Sequence, residues 1–158
     1  MTKPKFVYVT YIATTPEKLW EALTDGGFTQ KYFFGTRVES EWKEGADVNY
    51  YRNGKISDYG KVLTCEHPRL LSFTWTYVGD DTPRESPTRV TFELQPLESS
   101  VKLTLKHENL LETDFVDDND TFEGYNNGWP AVLSNLKIKE LSRNRKDFAA
   151  NKGLKQLE

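Results

Sequence analysis

Three successive segments of this chain alternate apolar and polar residues with a period of two, and a later one repeats its apolar residues at helical spacing. Leu71, Phe73, Trp75 and Tyr77 alternate with Ser72, Thr74 and Thr76 over Leu70–Val78. Val90, Phe92 and Leu94 alternate with Arg89, Thr91, Glu93 and Gln95 over Thr88–Gln95. Val101, Leu103 and Leu105 alternate with Lys102, Thr104, Lys106 and Glu108 over Val101–Glu108. Successive side chains of a strand point to opposite faces, so each segment has one apolar and one wet face. Such strands build an antiparallel sheet covered on one side. Phe122, Tyr125, Trp129, Val132, Leu133 and Leu136 recur at helical spacing and offer the cover.

The rest of the chain fits that plan. Phe6–Ile12, Thr36–Trp42, Asp47–Arg52 and Ser57–Cys65 also read as strands. Asn53-Gly54 is a type I′ hairpin signal, because both central residues need positive φ. Thr15 and Pro16 open a first helix, with Leu19, Trp20 and Leu23 on one face. Asp25-Gly26-Gly27 ends it, and a short second helix is expected from Thr29 to Phe33. Asp120-Thr121-Phe122-Glu123 resembles a capping box at the start of the last helix. Pro130 falls inside that helix and should kink it near Gly128-Trp129, or mark the first turn of its regular part.

The order is strand, two helices, six strands and one long helix, an α+β arrangement. A twisted seven-stranded sheet can curl around such a helix and leave space between them. The 158 residues fit one domain, with a polar tail from about residue 148 expected to fray. No apolar run approaches the ~18 residues of a membrane span, and no secretory h-region stands at the N-terminus. Cys65 is the only cysteine, which excludes an internal disulfide and suggests a reducing, cytoplasmic setting. The sequon Asn119-Asp120-Thr121 then reads as chance. Net charge is −3, and no basic face suggests nucleic acid. Lys137, Lys139, Arg143, Arg145 and Lys146 are expected in the last turns of the helix, where cations suit its dipole.

Tyr11-Ile12-Ala13-Thr14-Thr15-Pro16-Glu17-Lys18-Leu19-Trp20-Glu21-Ala22-Leu23-Thr24-Asp25 resembles the opening of the activator-of-Hsp90-ATPase-homologue (AHSA1-like) family. Gly60-Lys61-Val62-Leu63, Pro68 through Trp75, and Pro87 through Leu94 resemble its central strands. Gly128-Trp129 with Leu133 and Leu136 resembles its final helix. Together the likeness spans about residues 6–142. It implies the helix-grip fold of the START/Bet v 1-like (SRPBCC) superfamily: a seven-stranded curved antiparallel sheet wrapped around a long C-terminal helix, with a deep pocket between. It fixes no activity. The Hsp90 activator of eukaryotes carries a further N-terminal domain, for which this chain has no room.

Chemistry is sparse. Only two histidines are present. His67 lies in a turn, and Cys65-Glu66-His67 lacks the third and fourth ligands of a zinc site. A Rieske centre, which needs two Cys and two His, is excluded by the single cysteine. Asp114, Asp117, Asp118, Asp120 and Glu123 lack EF-hand spacing and read as a solvated loop. Glu93 and Lys102 are expected to pair across the wet face. His107 continues the inward phase of Val101, Leu103 and Leu105, and could orient a ligand or act as an acid/base at the rim. No metal and no cofactor are expected.

The leading expectation is a binding protein for a small hydrophobic or aromatic molecule. Its candidate lining residues are Trp42, Tyr50, Phe73, Trp75, Phe92, His107, Trp129 and Leu133. Two other classes stay open: a protein-interaction or chaperone-associated module, and an acid/base enzyme that uses His107 on a hydrophobic substrate.

Overall fold

A computed structural model describes residues 3–118 and 120–157, with side chains through residue 145. The elements run β1 (Phe6–Ile12), α1 (Pro16–Thr24), α2 (Gly26–Tyr32), β2 (Arg37–Ser40), β3 (Asp47–Arg52), β4 (Lys55–Glu66), β5 (Leu70–Tyr77), β6 (Thr88–Pro96), β7 (Val101–Glu108), a 3₁₀ turn (Glu112–Asp114) and α3 (Tyr125–Leu157). One seven-stranded antiparallel sheet has the order β1-β7-β6-β5-β4-β3-β2. The strands β2 to β7 form a meander, and β1 closes on β7 from Phe6↔His107 to Ile12↔Val101. This is the helix-grip arrangement that the sequence resemblance implies.

Local chemistry sets these elements. Asn53 and Gly54 take φ of 54° and 76°, so a two-residue hairpin brings Arg52 opposite Lys55. Thr15 caps α1 by accepting from Lys18 N–H at 3.3 Å. Asp25 serves two helices. Its N–H donates to Glu21 C=O at 2.8 Å, closing α1, and its carboxylate accepts from Gly27 N–H at 2.7 Å, capping α2. α2 therefore starts at Gly26, three residues before the expected Thr29. Register shifts at Tyr50/Tyr51 and Val62/Thr64 interrupt the pairing of β4 with its neighbours. Between them a Cβ at Gly60 would sit 1.7 Å from the Thr74 carbonyl oxygen, so only glycine fits. Such irregularities bend and twist strands, and they fall where this sheet must curl.

The inner face of the sheet buries Leu71, Phe73, Val90, Phe92, Leu103 and Leu105, and α3 buries Trp129, Val132, Leu133 and Leu136 in the same core. Each such side chain contributes roughly 1.5–3 kcal/mol on burial. On the outer face Glu93 pairs with Lys106 at 3.0 Å, not with Lys102. The register places Lys102 opposite Gln95, beyond Glu93.

Helix α3 departs from expectation in three ways. It does not start at the capping box: Glu123 N–H turns back to Thr121 Oγ1 at 3.0 Å, Gly124 takes φ 83°, and the helix begins at Tyr125. Asn126 and Asn127 then tie that end to Val116, Asn126 by bonding both its N–H and its C=O. Pro130 lies in the second turn without breaking the helix. It has no N–H, so the Asn126 carbonyl lacks its intrahelical donor. The backbone stays helical to Leu157, where a frayed tail was expected from Phe148, whose side chain lies outside the described ones. The basic cluster is accordingly mid-helix, and the dipole argument for it fails. Arg143 bonds Glu140 and Glu21 at 3.1 and 2.6 Å, while buried Glu140 accepts from Thr14 Oγ1 at 2.7 Å. The side chain of Lys146 lies outside the described ones, as does Asn119 of the sequon. Among the described residues, no helix is long and apolar enough to cross a membrane.

Candidate functional site

A cavity of about 590 Å³ opens between the first turns of α3, the segment leading into it, and the near ends of β4 and β5. Its inner wall is aromatic. Trp75 on β5 meets Trp129 on α3 edge-on at 5.3 Å, and Phe33, just after α2, stacks on Trp75 at 6.1 Å and meets Trp129 at 5.8 Å. Two exposed rings stand at the mouth: Phe34 and Phe122 pack at 5.6 Å. Phe34 holds a left-handed φ of 50°, unusual for a bulky residue, and this turns the chain between α2 and β2. Tyr77 and the half-buried Tyr125 complete the aromatic lining.

The polar lining is acidic: Asp58, Asp80, Asp114 and Glu123 against Arg52 and Arg84. Arg84 spans the β5–β6 and β7–α3 connections. Its Nε donates to Asp80 at 2.7 Å, and its two terminal nitrogens hold Asp114 at 2.8 and 2.5 Å. Burial alone would raise both carboxyls, but the bonds from Arg84 hold them below the ordinary carboxylate range. Asp114 also accepts from Leu111 N–H at 2.8 Å, so this residue is a structural clamp rather than part of a solvated loop. Asp58 differs. Burial raises its carboxyl above the usual range, offset in part by the Ser57 hydroxyl, the Arg52 charge and the nearby Trp75 indole. Trp75 Nε1 is buried and, among the described residues, reaches no acceptor at hydrogen-bond geometry.

Of the eight expected lining residues, Trp75 and Trp129 form the cavity wall. Tyr50, Phe73, Phe92 and Leu133 are buried in the core behind it and do not line it, and Trp42 packs against that core. Trp42 donates from Nε1 to the Thr24 carbonyl at 2.9 Å, which anchors it to α1. Alternation reports which face a residue is on, and most of that face is filled by α3. His107 faces inward as expected but lies fully buried, away from any rim. Trp129 Nε1–H donates to His107 Nδ1 at 3.0 Å, so the proton of neutral His107 sits on Nε2. That N–H donates to Thr88 Oγ1 at 2.8 Å, and the Thr88 hydroxyl donates to the Trp75 carbonyl at 2.7 Å. Burial pushes the His107 pKa down to about 3. The imidazole therefore holds both tryptophans in place and has no free nitrogen for proton transfer to a ligand.

Arg84, Asp58, Phe33 and Phe34 escape sequence reasoning because their meeting depends on loop paths. The one local hint is the i,i+4 spacing of Asp80 and Arg84. The cavity-lining residues include no histidine, cysteine or lysine. Cys65 lies elsewhere, its thiol pushed up by burial and then by Glu44. His67 packs edge-on against Trp20 at 5.3 Å. No group of three or more His, Cys, Asp or Glu among the described residues is placed to hold a metal.

The family described as activator of Hsp90 ATPase homolog 1-like protein has a sequence model that matches residues 13–139. Among solved structures, protein MLL2253 from Mesorhizobium loti is 25% identical, with a TM-score of 0.71 over 89% of this chain and 98% of that one. CalU16 from Micromonospora echinospora is 21% identical, with a TM-score of 0.65 over 93% and 86% of the two chains. PFC0360w, an HSP90 activator from Plasmodium falciparum, is 23% identical, with a TM-score of 0.65 over 85% and 94%. No curated protein matches the sequence.

Proposed function

The chain belongs to the family of activator of Hsp90 ATPase homolog 1-like proteins, and from that premise we propose that it binds a small, largely apolar or aromatic molecule in the cavity at the start of α3. The observation that carries this reading is the 590 Å³ space walled by Phe33, Trp75 and Trp129. Small-molecule sites are concave, mostly apolar and aromatic, carry a few fixed polar groups, and fall in this range of volume. The relay from Trp129 through His107 and Thr88 to the Trp75 backbone fixes two of the three rings before any ligand arrives. A preorganised wall lowers the ordering cost of binding.

A thermal-shift panel of fatty acids, flavonoids, polyketides and aromatic acids tests the reading. A ligand that binds only the folded state adds about 2.7 kcal/mol at 100 times its Kd. One chemical class should give a saturable shift, and the shift should vanish in Gly128→Leu. Gly128 lines the cavity, and a Cβ there meets only the Phe122 carbonyl oxygen at 3.4 Å. A flat panel, or a shift that survives the filled cavity, would overturn the proposal.

The resemblance to the P. falciparum HSP90 activator favours a second reading, a chaperone-associated module. Capture of Hsp90 by the purified chain, unaffected by Gly128→Leu, would support it over the first.

A further inference from the structure

Two polar groups in this cavity have unused bonding capacity, and they have opposite character. Trp75 Nε1–H is a donor on a side chain 4% exposed; it leans toward Asp58, near enough to lower that carboxyl, but reaches no acceptor at hydrogen-bond geometry among the described residues. A buried donor left unbonded is unfavourable, so it marks a place where a bound molecule gains by supplying an acceptor. Asp58 stands beside it, 7% exposed. Its Oδ2 accepts from Ser57 Oγ at 2.9 Å, and no donor among the described residues reaches Oδ1.

We propose that Trp75 and Asp58 form a subsite for a hydroxyl group of the bound molecule, whose oxygen accepts from Trp75 Nε1–H while its hydrogen is donated to Asp58 Oδ1. The inference rests on the cavity being a ligand site and narrows what that ligand carries. A hydroxyl serves both groups from a single atom. An ether accepts from the indole but leaves Asp58 without a donor. An ammonium suits Asp58 but leaves the indole unbonded. A carboxylate suits the indole but brings negative charge against Asp58 in a lining where four acids outnumber two arginines, of which Arg84 is already bonded to Asp80 and Asp114. Water could make the same two bonds, and a ligand that displaces it must replace both or lose affinity. The inner wall beside this pair is aromatic, through Phe33 and Trp129, so the class indicated is a neutral alcohol or phenol on an apolar, ring-containing body.

Calorimetric titrations at pH 7 with 2-naphthol, 2-methoxynaphthalene, naphthalene and 2-naphthoate separate these cases. The subsite predicts that 2-naphthol binds roughly tenfold or more tightly than the ether and the hydrocarbon, with 2-naphthoate weakest. Trp75→Phe keeps a ring and removes the donor, while Asp58→Leu removes the acceptor. In each variant whose thermal transition shows it folded, the ratio of 2-naphthol to naphthalene affinity should fall several-fold, whichever way naphthalene affinity itself moves. Equal binding of naphthol, ether and hydrocarbon would overturn the hydroxyl subsite and leave the binding function standing. So would tighter binding of 2-naphthoate, or a preference unchanged in the folded variants. Failure of all four probes to bind, naphthalene included, would overturn the ring-containing ligand class and the subsite with it, and the thermal-shift panel alone would then decide the binding function.

Discussion

His107 joins Trp129, Thr88 and the Trp75 backbone in one buried relay. Its phase along β7 placed it on the inner face, and it is there. Its chemistry was not legible, because that depends on Trp129, twenty-two positions later in the chain, and on Thr88 across the strand pair. Both ring nitrogens are spent on neighbours, and the residue orients rings instead of moving protons. The protonation balance gives a direct check. The unfolded chain takes up a proton on this imidazole near pH 6.5, whereas the folded chain resists until about pH 3. Stability is therefore full above pH 6.5 and falls as pH drops from there toward 3, with a slope approaching about 1.4 kcal/mol per pH unit. His107→Gln can accept from Trp129 and donate to Thr88 without titrating. Urea unfolding between pH 7 and 4.5 should show a falling midpoint in the wild type and a nearly level one in the variant. Parallel curves would mean that His107 is not the group resisting protonation.

Among the elements, most strands and α1 were legible, whereas the starts of α2 and α3 were not. Alternation is a property of each strand alone, and β1, β3 and β7 match their expected bounds in full, as does α1 between its Thr15 cap and Asp25. The start of α3 depends on a tertiary contact. Thr121 and Glu123 have the right identities for a cap, but Gly124 reverses the chain, and the asparagines that follow fasten the helix to Val116. A Cβ at Gly124 would lie 2.7 Å from Val116 N, a constraint no local pattern reveals. Pro130 interrupts the second turn of a helix that forms regardless, held by Trp129, Val132 and Leu133 in the core. Pro130→Ala restores the missing donor to the Asn126 carbonyl and should stabilise the protein by about 1 kcal/mol. A melting temperature lower than the wild type would show that the proline ring makes contacts worth more than that bond.

At the scale of the whole molecule, the sheet curls around α3 and the cavity lies at the end where the helix begins. The resemblance of the sequence to AHSA1-like proteins anticipated this architecture, and it anticipated a pocket. Composition could not say which rings line that pocket, because most of the inner face is closed by α3 itself. Arg84 holds the open end together by joining two loops through Asp80 and Asp114. Arg84→Met strands two partly buried carboxylates and should cost about 2 kcal/mol, less than for a fully buried pair because water screens the site. Both carboxyls titrate below their ordinary value, so the clamp is intact above about pH 4 and fails as pH falls further. If Arg84→Met unfolds at the wild-type urea midpoint at pH 7, the clamp adds nothing to stability.

A ligand in the cavity beside Trp75 and Trp129 must perturb the two indoles that wall it. Titration of the ¹⁵N-labelled protein with 2-naphthol, following the four tryptophan indole N–H signals, reads this out. Trp75 should move most and Trp129 should follow. Trp20 sits under His67 outside the cavity lining and should stay fixed, and Gly128→Leu should abolish every shift. Indole signals that all remain in place up to the solubility limit of the probe, or a Trp20 shift as large as that of Trp75, would contradict the account.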